Sequence, residues 1–111
     1  MAGVSTHVLN ITTGRPIGGM HIELYDVSTS PPTLLTDNRS NADGRTDKMM
    51  LTPDATKVGT YELRFHVNEV FKAPDALSEV ATVRFSIFDP AQHYHVPMLC
   101  SPWFFSTYRG S

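Results

Sequence analysis

The sequence predicts an all-β protein with a β-sandwich fold, and three observations support this prediction. Apolar and polar residues alternate with period two in several segments, which is the pattern of strands with one buried face. Turn residues recur at intervals of about ten residues between these segments. Only one short segment carries the signals of a helix. The chain has 111 residues, of which 41% are hydrophobic, and this suits one domain over 1–111 with its own core.

Eight strands are predicted along the chain. The first covers residues 5–11, and the second covers 20–25, where Met20, Ile22 and Leu24 fall on one face. Weaker patterns predict strands at 33–39 and 46–51. In 61–67 and 81–87 every second residue is apolar, so each segment presents one face to a core. Strands at 93–100 and 103–109 complete the set.

Turn residues separate these strands. The segment 14–19 is rich in Gly, and Ser30-Pro31-Pro32 forms a second break. The dipeptide Asp43-Gly44 suits a tight hairpin because glycine tolerates a positive φ. The only predicted helix covers 68–73, with Asn68 as its N-terminal cap and Pro74 as its stop.

The charge balance excludes two classes of partner, nucleic acids and membrane surfaces. Nine Lys and Arg against eleven Asp and Glu give a formal net charge of −2, and the basic residues are dispersed, so neither nucleic acid nor a membrane surface is expected as a partner.

The sequence shows no signal peptide and no stretch long enough to span a bilayer, which predicts a cytoplasmic protein. A peroxisomal location is possible if a targeting segment lies outside this sequence. The single Cys100 lies in an apolar stretch and is expected to be a buried structural thiol.

Four of the five histidines form two sequence patterns. His21 and His66 alternate with apolar neighbours and are expected to be solvated on the polar faces of their strands. His93 and His95 share one strand face at a separation of about 7 Å. That spacing suits zinc, but no acid or Cys is spaced to complete a tetrahedral site, so we expect no required metal.

Spacing alone does not assign a function to Arg45 or to the C-terminal aromatic segment. From spacing alone, Arg45 is a solvent-facing turn residue that pairs weakly with Asp43 or Asp47. Four aromatic residues lie within the last nine positions, and they indicate an anchored terminus because chain ends normally fray. They fit an edge strand, a subunit contact or a functional role, and we expect one face of this strand in the core. No nucleotide-binding or nucleophile motif is present in the sequence.

Several short motifs along the chain match one family together. They are Ser5-Thr6-His7-Val8-Leu9-Asn10, Thr13-Gly14-Arg15-Pro16, Asp43-Gly44-Arg45, His93-Tyr94-His95-Val96-Pro97 and the terminal Tyr108-Arg109-Gly110-Ser111. With these motifs the chain resembles the 5-hydroxyisourate hydrolases, the transthyretin-related enzymes of urate breakdown, over essentially its whole length. The terminal tetrapeptide is the most specific motif, because it distinguishes the hydrolases from transthyretin, a hormone carrier with the same fold.

The resemblance implies a fold, an assembly and a reaction. The fold is a transthyretin-like (prealbumin-like) β-sandwich of two four-stranded sheets with one short helix. The implied assembly is a homotetramer built from two dimers, with active sites in the clefts where the dimers meet. The implied reaction is the hydrolysis of 5-hydroxyisourate at its cyclic N1–C6 acyl-amide bond, which gives 2-oxo-4-hydroxy-4-carboxy-5-ureidoimidazoline and needs no cofactor.

The resemblance also implies a set of site residues. The catalytic set is His7, Arg45, His95 and Ser111, and the substrate contacts are His7, Arg45 and Tyr108. The histidines would activate water with help from Ser111, and the Arg45 guanidinium would stabilise the developing oxyanion. Which histidine is the base, and what His93 does, stay open. The alternative is a non-catalytic, transthyretin-like carrier of a small ligand, although a carrier has no need for two imidazoles beside a guanidinium.

Overall fold

Two four-stranded sheets pack face to face in the computed structural model, which describes residues 2–111. In chain order the strands are β1 (Gly3–Asn10), β2 (Arg15–Pro16), β3 (His21–Asp26), β4 (Thr33–Arg39), β5 (Gly59–Phe65), β6 (Ala81–Ile87), β7 (His93–Ser101) and β8 (Phe104–Thr107). A 3-10 turn spans Pro53–Ala55, and the helix α1 spans Val67–Phe71. The predicted all-β class is therefore confirmed. No helix in the described part of the chain is long and apolar enough to cross a membrane.

The two sheets differ in how far apart their strands lie in the sequence. The sheet with the order β4-β3-β5-β6 is entirely antiparallel, and we call it the β3–β5 sheet. The sheet with the order β2-β1-β7-β8 is called the β1–β7 sheet. Its two central strands run parallel, with Gly3 opposite His93 and Asn10 opposite Cys100. The first long strand of the chain thus pairs with one of the last.

The core lies between the two sheets and is filled by alternate residues of the central strands. Fully buried examples are Val4, Val8, Met98, Ile22, Leu24, Leu63 and Phe65. Since side chains alternate along a strand, the residues between them lie on the outer faces of the sandwich. Ser5, His7 and His95 lie on the outer face of the β1–β7 sheet, and His21 and Glu23 lie on the outer face of the β3–β5 sheet. Cys100 is buried as predicted, and burial raises the pKa of its thiol to about 11.

The predicted strand at 46–51 is wrong. This segment forms a loop that touches β1 through one isolated bridge between Val4 and Leu51. The Val4 amide donates to the Leu51 carbonyl oxygen at 2.9 Å, and the Met50 amide donates to the Val4 carbonyl oxygen at 2.9 Å. Met50 and Leu51 are buried, so their apolar character reports burial at the end of the core and not a strand. Conversely, Arg15–Pro16 lies in the predicted turn at 14–19 but forms β2 by pairing with the end of β1.

The helix and the Asp43-Gly44 turn differ in detail from the predictions. Helix α1 begins at Val67, and Asn68 does not cap its start. Instead the side-chain Nδ2 of Asn68 donates to the Ala73 carbonyl oxygen, and the side-chain Oδ1 of Asn68 accepts from the backbone amide of Ala73. These two hydrogen bonds close the end of the helix. Gly44 does adopt a positive φ of 77°. Its turn joins no pair of strands, however, because the next strand is β5, which begins only at Gly59, so the predicted hairpin is wrong.

The aromatic segment near the C-terminus does not reach the core. Trp103, Phe104 and Phe105 are 59%, 50% and 36% exposed. Strand β8 is an edge strand, and Phe104 and Phe105 border the loop at Leu77 instead of the buried space between the sheets. The expectation that one face of this strand packs in the core is therefore wrong for the single chain.

Candidate active site

A serine hydroxyl joins two histidines on the outer face of the β1–β7 sheet. The parallel register places Ser5 opposite His95. The Ser5 Oγ lies 2.7 Å from Nε2 of His93 and 2.8 Å from Nδ1 of His95. Ser5 was not predicted as a site residue from the sequence. The available signal was its position two residues before His7, which puts both side chains on one face of β1.

When both imidazoles are neutral, the hydrogen bonds of this cluster allow one arrangement of its protons. A carbonyl oxygen can only accept, so Nδ1 of His93, 3.1 Å from the Ala2 carbonyl oxygen, carries a proton. In the neutral His93 ring, Nε2 is then an acceptor and receives the Ser5 hydroxyl proton. The Ser5 oxygen in turn accepts from Nδ1–H of His95. Nε2 of His95 therefore carries the free lone pair. It forms no hydrogen bond with any group of residues 2–111.

The surroundings of His95 favour its neutral form. The ring is half-buried, and burial lowers its pKa below the ordinary value of 6.5. The positive charge of Arg45 lowers the pKa further, as do His93 and His7 whenever they are protonated. At neutral pH the free Nε2 is therefore unprotonated and available to accept a proton.

The turn before Arg45 packs directly on β1. The Val8 amide donates to the Gly44 carbonyl oxygen at 2.8 Å. A Cβ atom at Gly44 would lie 2.4 Å from the Val8 carbonyl oxygen and 3.2 Å from Cδ2 of His7, and the φ of Gly44 is positive, so only glycine fits. This close approach places Arg45, the next residue, beside His7.

Asn41 organises the same turn, and this role of Asn41 was not predicted from the sequence. Its Oδ1 accepts from the backbone amides of Asp43 and Arg45 at 2.9 and 3.1 Å. The side-chain Nδ2 of Asn41 donates to Oδ1 of Asp47 at 3.0 Å. Within residues 2–111 the Arg45 guanidinium forms no ion pair, so the expected weak pairing with Asp43 or Asp47 is wrong. The Arg45 side chain is exposed and its charge acts on the His95 imidazole, so the guanidinium is available to an anionic or carbonyl oxygen at this site.

A proline in β7 determines how the C-terminus meets the site. The carbonyl oxygens of His95 and Pro97 face β8, since they accept from the Gly110 amide at 2.8 Å and the Thr107 hydroxyl at 2.6 Å. Pro97 has no N–H to donate to that neighbour, so the regular ladder ends at Thr107. The chain leaves the sheet at Tyr108 and returns to it at Gly110, which forms a bridge with His95.

Gly110 and Arg109 hold the end of the chain against β7. A Cβ atom at Gly110 would lie only 2.6 Å from Cδ2 of His95, so the backbone passes directly over the imidazole. The Arg109 guanidinium stacks on Tyr94 at 4.2 Å and donates to the Gln92 side chain and the His93 carbonyl oxygen. The neighbouring Tyr108 is 60% exposed.

The structure thus brings together His7, Arg45 and His95, and adds Ser5 and His93. Ser111 is exposed, and in the described chain neither Ser111 nor Tyr108 hydrogen-bonds to the histidines. His93 and His95 do not form a metal-ligand group there with a third His, Cys, Asp or Glu. The site can accept a proton at one imidazole and bind a developing negative charge at the guanidinium.

Comparison with known proteins identifies the family of the chain. A family model described as the HIUase/Transthyretin family matches residues 4–110. The chain belongs to this family. The 5-hydroxyisourate hydrolase of Deinococcus radiodurans is 42% identical over 114 residues, which cover 98% of this chain and 96% of that protein. The enzyme of the same name from Ralstonia nicotianae is 39% identical over 117 residues, with complete coverage of both chains.

Solved structures of the HIUase/Transthyretin family superpose on the whole sandwich. The Klebsiella pneumoniae 5-hydroxyisourate hydrolase matches with a TM-score of 0.84 and 30% identity, and both chains are covered completely. An (S)-allantoin synthase matches with a TM-score of 0.90 and 34% identity over 99% of this chain, which spans 44% of that protein. Transthyretin from Sparus aurata has a TM-score of 0.85 at 20% identity over 97% of this chain and 96% of its own, and this likeness shows the transthyretin-like fold alone.

Proposed function

We propose that this protein is a 5-hydroxyisourate hydrolase that opens the six-membered ring of its substrate at the N1–C6 bond. The observation that carries the proposal is the hydrogen-bonded chain from Ala2 through His93 and Ser5 to His95, which ends in a free nitrogen beside Arg45. Relatives that carry the name of this activity match almost the whole chain at about 40% identity.

The free nitrogen of His95 is the proposed general base. A water molecule held between His95 and His7 gives its proton to Nε2 of His95 while its oxygen attacks C6 of the substrate. A tetrahedral intermediate forms, with the negative charge on the former carbonyl oxygen. When the C6–N1 bond breaks, N1 takes the proton back from His95 and a carboxyl group remains at C6. All atoms of the product come from the substrate and one water molecule.

Arg45 has the complementary role in this proposal. Its guanidinium is exposed and unpaired within the described chain, and it presents several donors in one plane. It binds carbonyl oxygens of the ring and stabilises the oxyanion of the intermediate. The fixed backbone of the turn, held by Gly44 and Asn41, keeps this charge next to His7 before substrate arrives.

Ser5 and His93 are proposed as positioning residues. Neither needs to touch the substrate, because each acts through His95. Their hydrogen bonds hold the proton on Nδ1 of His95 and so keep the lone pair on Nε2. This gives His93 the role that the sequence left open.

Tyr108 and Ser111 complete the proposed site as a substrate contact and a water-positioning residue. Ser111 directly follows Gly110, whose amide donates to the His95 carbonyl oxygen, and Tyr108 lies two residues before Gly110. We further propose a homotetramer whose dimers meet over these residues. The exposed aromatic side chains of Trp103, Phe104 and Tyr108 support an interface at this edge of the sheet. The cytoplasmic location stays a prediction.

The first experiment follows the decay of freshly formed 5-hydroxyisourate by ultraviolet absorption. Wild-type protein is expected to accelerate the decay, and His95→Asn is expected to lose about 10²- to 10⁴-fold of this acceleration. Asparagine can imitate Nδ1–H towards Ser5 but has no group at the position of Nε2. Spontaneous decay in the presence of folded wild-type protein would instead support the ligand carrier.

Two substitutions of His93 test the positioning role. In His93→Gln the amide oxygen can replace Nε2 as the acceptor for the Ser5 hydroxyl, so most of the activity should remain. In His93→Leu no acceptor is left, and kcat should fall while KM changes little. Equal activity of the two variants would contradict the proposed proton arrangement.

A further inference from the structure

A second cluster of histidines and carboxylates lies on the outer face of the β3–β5 sheet, across the sandwich from the candidate active site. His21 and Glu23 come from β3, and His66 directly follows β5. One ligand atom from each of these three residues lies within 4.8 Å of the other two. In residues 2–111 this is the only group of three such residues whose ligand atoms come so close.

The cluster is ordered by the sheet and is largely covered. The His66 amide donates to the His21 carbonyl oxygen at 3.0 Å, and Glu23 pairs with Asp37 of β4 in the antiparallel register. The His21 and His66 side chains are only 19% and 23% exposed. They lie on polar faces as predicted, but the prediction that they are solvated is wrong. Their rings stack with centroids 4.4 Å apart.

Each imidazole meets a carboxylate at the same ring nitrogen. Nε2 of His66 lies 2.6 Å from Oε1 of Glu23, and Nε2 of His21 lies 2.5 Å from Oδ1 of Asp37. Glu23 is also held by the Tyr25 hydroxyl, which donates to its second oxygen at 2.9 Å. A hydrogen bond of this kind fixes the orientation of a carboxylate that binds a metal.

The nearby arginines do not neutralise the two carboxylates. The Arg64 Nε donates to Glu62 at 2.9 Å, and its guanidinium stacks on Tyr25 at 3.9 Å. Arg39 donates to the Gly19 carbonyl oxygen and faces Glu69 at 3.6 Å. Within residues 2–111, therefore, no arginine forms an ion pair with Glu23 or Asp37.

The charge balance of the cluster favours a divalent cation. Two carboxylates, Glu23 and Asp37, face the two stacked rings at hydrogen-bond distance. One divalent ion neutralises both carboxylates and leaves both imidazoles neutral. Neutral imidazole nitrogens and carboxylate oxygens are ligands that Zn²⁺ prefers.

We propose that His21, Glu23 and His66 form a transition-metal site for Zn²⁺, with Asp37 as the fourth ligand. Ligand atoms around a tetrahedral zinc lie about 3.3 Å apart, given bonds of about 2.0 to 2.1 Å. Nε2 of His66 and Oε1 of Glu23 are now 2.6 Å apart, and Nε2 of His21 and Oδ1 of Asp37 are 2.5 Å apart, so each pair needs to open by only about 0.7 to 0.8 Å to bind the ion. The ion joins three neighbouring strands, so its effect is on stability and is separate from hydrolysis.

The test uses Co²⁺ as a spectroscopic probe and Zn²⁺ as the natural ion, both added to the full-length protein. Wild-type protein should bind one Co²⁺ per chain at this cluster with the visible absorption of a tetrahedral site, and Zn²⁺ should displace it and raise Tm. The double variant His21→Asn/His66→Asn should lose this binding and keep its hydrolase activity. The matched control His93→Asn/His95→Asn removes two histidines from the opposite face and should keep the absorption and the rise in Tm.

A third variant, Glu23→Gln, covers the case in which the double variant does not fold. Glutamine keeps the size of the side chain, and Zn²⁺ affinity should fall about tenfold or more because one charged ligand is lost. The proposal is overturned if wild-type protein binds no Co²⁺ or Zn²⁺. It is equally overturned if the control variant loses the absorption while the His21/His66 variant keeps it, because the ion would then bind at the candidate active site.

Discussion

The two outer faces of the sandwich each hold a pair of histidines, but with opposite chemical partners. On the β1–β7 sheet, His93 and His95 are joined by a serine hydroxyl, and the charges that act on His95 are positive. On the β3–β5 sheet, His21 and His66 each meet a carboxylate. Both pairs sit on the same kind of scaffold, so their different chemistry comes from the partners alone.

The difference teaches what prepares an imidazole for catalysis in this fold. A carboxylate partner attracts a proton or a metal ion to the ring, which stabilises the structure but occupies the nitrogen. A hydroxyl partner fixes the tautomer without adding charge, and the nearby cations keep the ring neutral. The nitrogen that accepts a proton from water is therefore found on the face without carboxylates.

The largest expected effect separates the arginines of the two faces. Arg45→Ala removes the group that stabilises the oxyanion, and kcat should fall by about 10²- to 10³-fold. Arg39→Ala removes a guanidinium from the β3–β5 sheet and should leave the rate unchanged. Initial rates of 5-hydroxyisourate decay measure both. A similar rate in the two variants would remove Arg45 from the site.

A smaller effect is expected where the chain end covers His95. Gly110→Ala adds a methyl group whose carbon would lie 2.6 Å from Cδ2 of the imidazole, so the ring or the terminus must move. A displacement of about 1 Å at a catalytic group can cost about 10²-fold in rate, and we expect a loss below that limit.

The matched control for the Gly110 variant lies on the other sheet. Gly59→Ala adds a methyl group whose nearest neighbour, Oγ of Ser28, lies 3.2 Å away and can rotate. This variant should keep full activity. If Gly110→Ala is as active as Gly59→Ala, the contact between the terminus and His95 has no role in catalysis.

Ser5→Ala should have a moderate effect. The variant removes the hydroxyl between His93 and His95, and one such hydrogen bond is worth about 1 kcal/mol, or about fivefold in rate. The loss should appear in kcat and in the pH profile, because Nδ1 of His95 is no longer held. Ser106→Ala on strand β8 is the control and should show neither change.

The smallest effect concerns pH. Burial and positive neighbours lower the pKa of His95 below 6.5. The acid limb of the kcat/KM profile, where His95 gains its proton, should therefore have its midpoint below pH 6.5. A midpoint above pH 6.5 would assign the base to another group.

The sequence allowed most of the architecture to be predicted, because alternation reports which residues are buried. It failed at 46–51, where Met50 and Leu51 are buried by a loop, since burial does not require a strand partner. His7, Arg45 and His95 were found through the family motifs. Ser5 and Asn41 were missed because their roles depend on the register between β1 and β7 and on the geometry of one turn, which are properties of the folded chain.

The cluster of His21, Glu23 and His66 could not be predicted from the sequence either. His21 and His66 are separated by more than forty residues, and each looks like an ordinary polar residue on its own strand. Only the antiparallel pairing of β3 with β5 stacks their rings and brings Glu23 to His66. Periodicity within one strand carries no information about such neighbours.

The parallel pairing of β1 with β7 also has a consequence for how the protein is made. All four strands of the β3–β5 sheet lie between His21 and Ile87, so this sheet can form from one continuous segment of the chain. Strand β1 emerges first, but its central partner begins only at His93. Until then β1 exposes an unpaired edge, which is a site for aggregation. Chains released before β7 is complete would carry half of a sandwich and no catalytic centre, so premature termination yields an aggregation-prone fragment instead of a weakened enzyme.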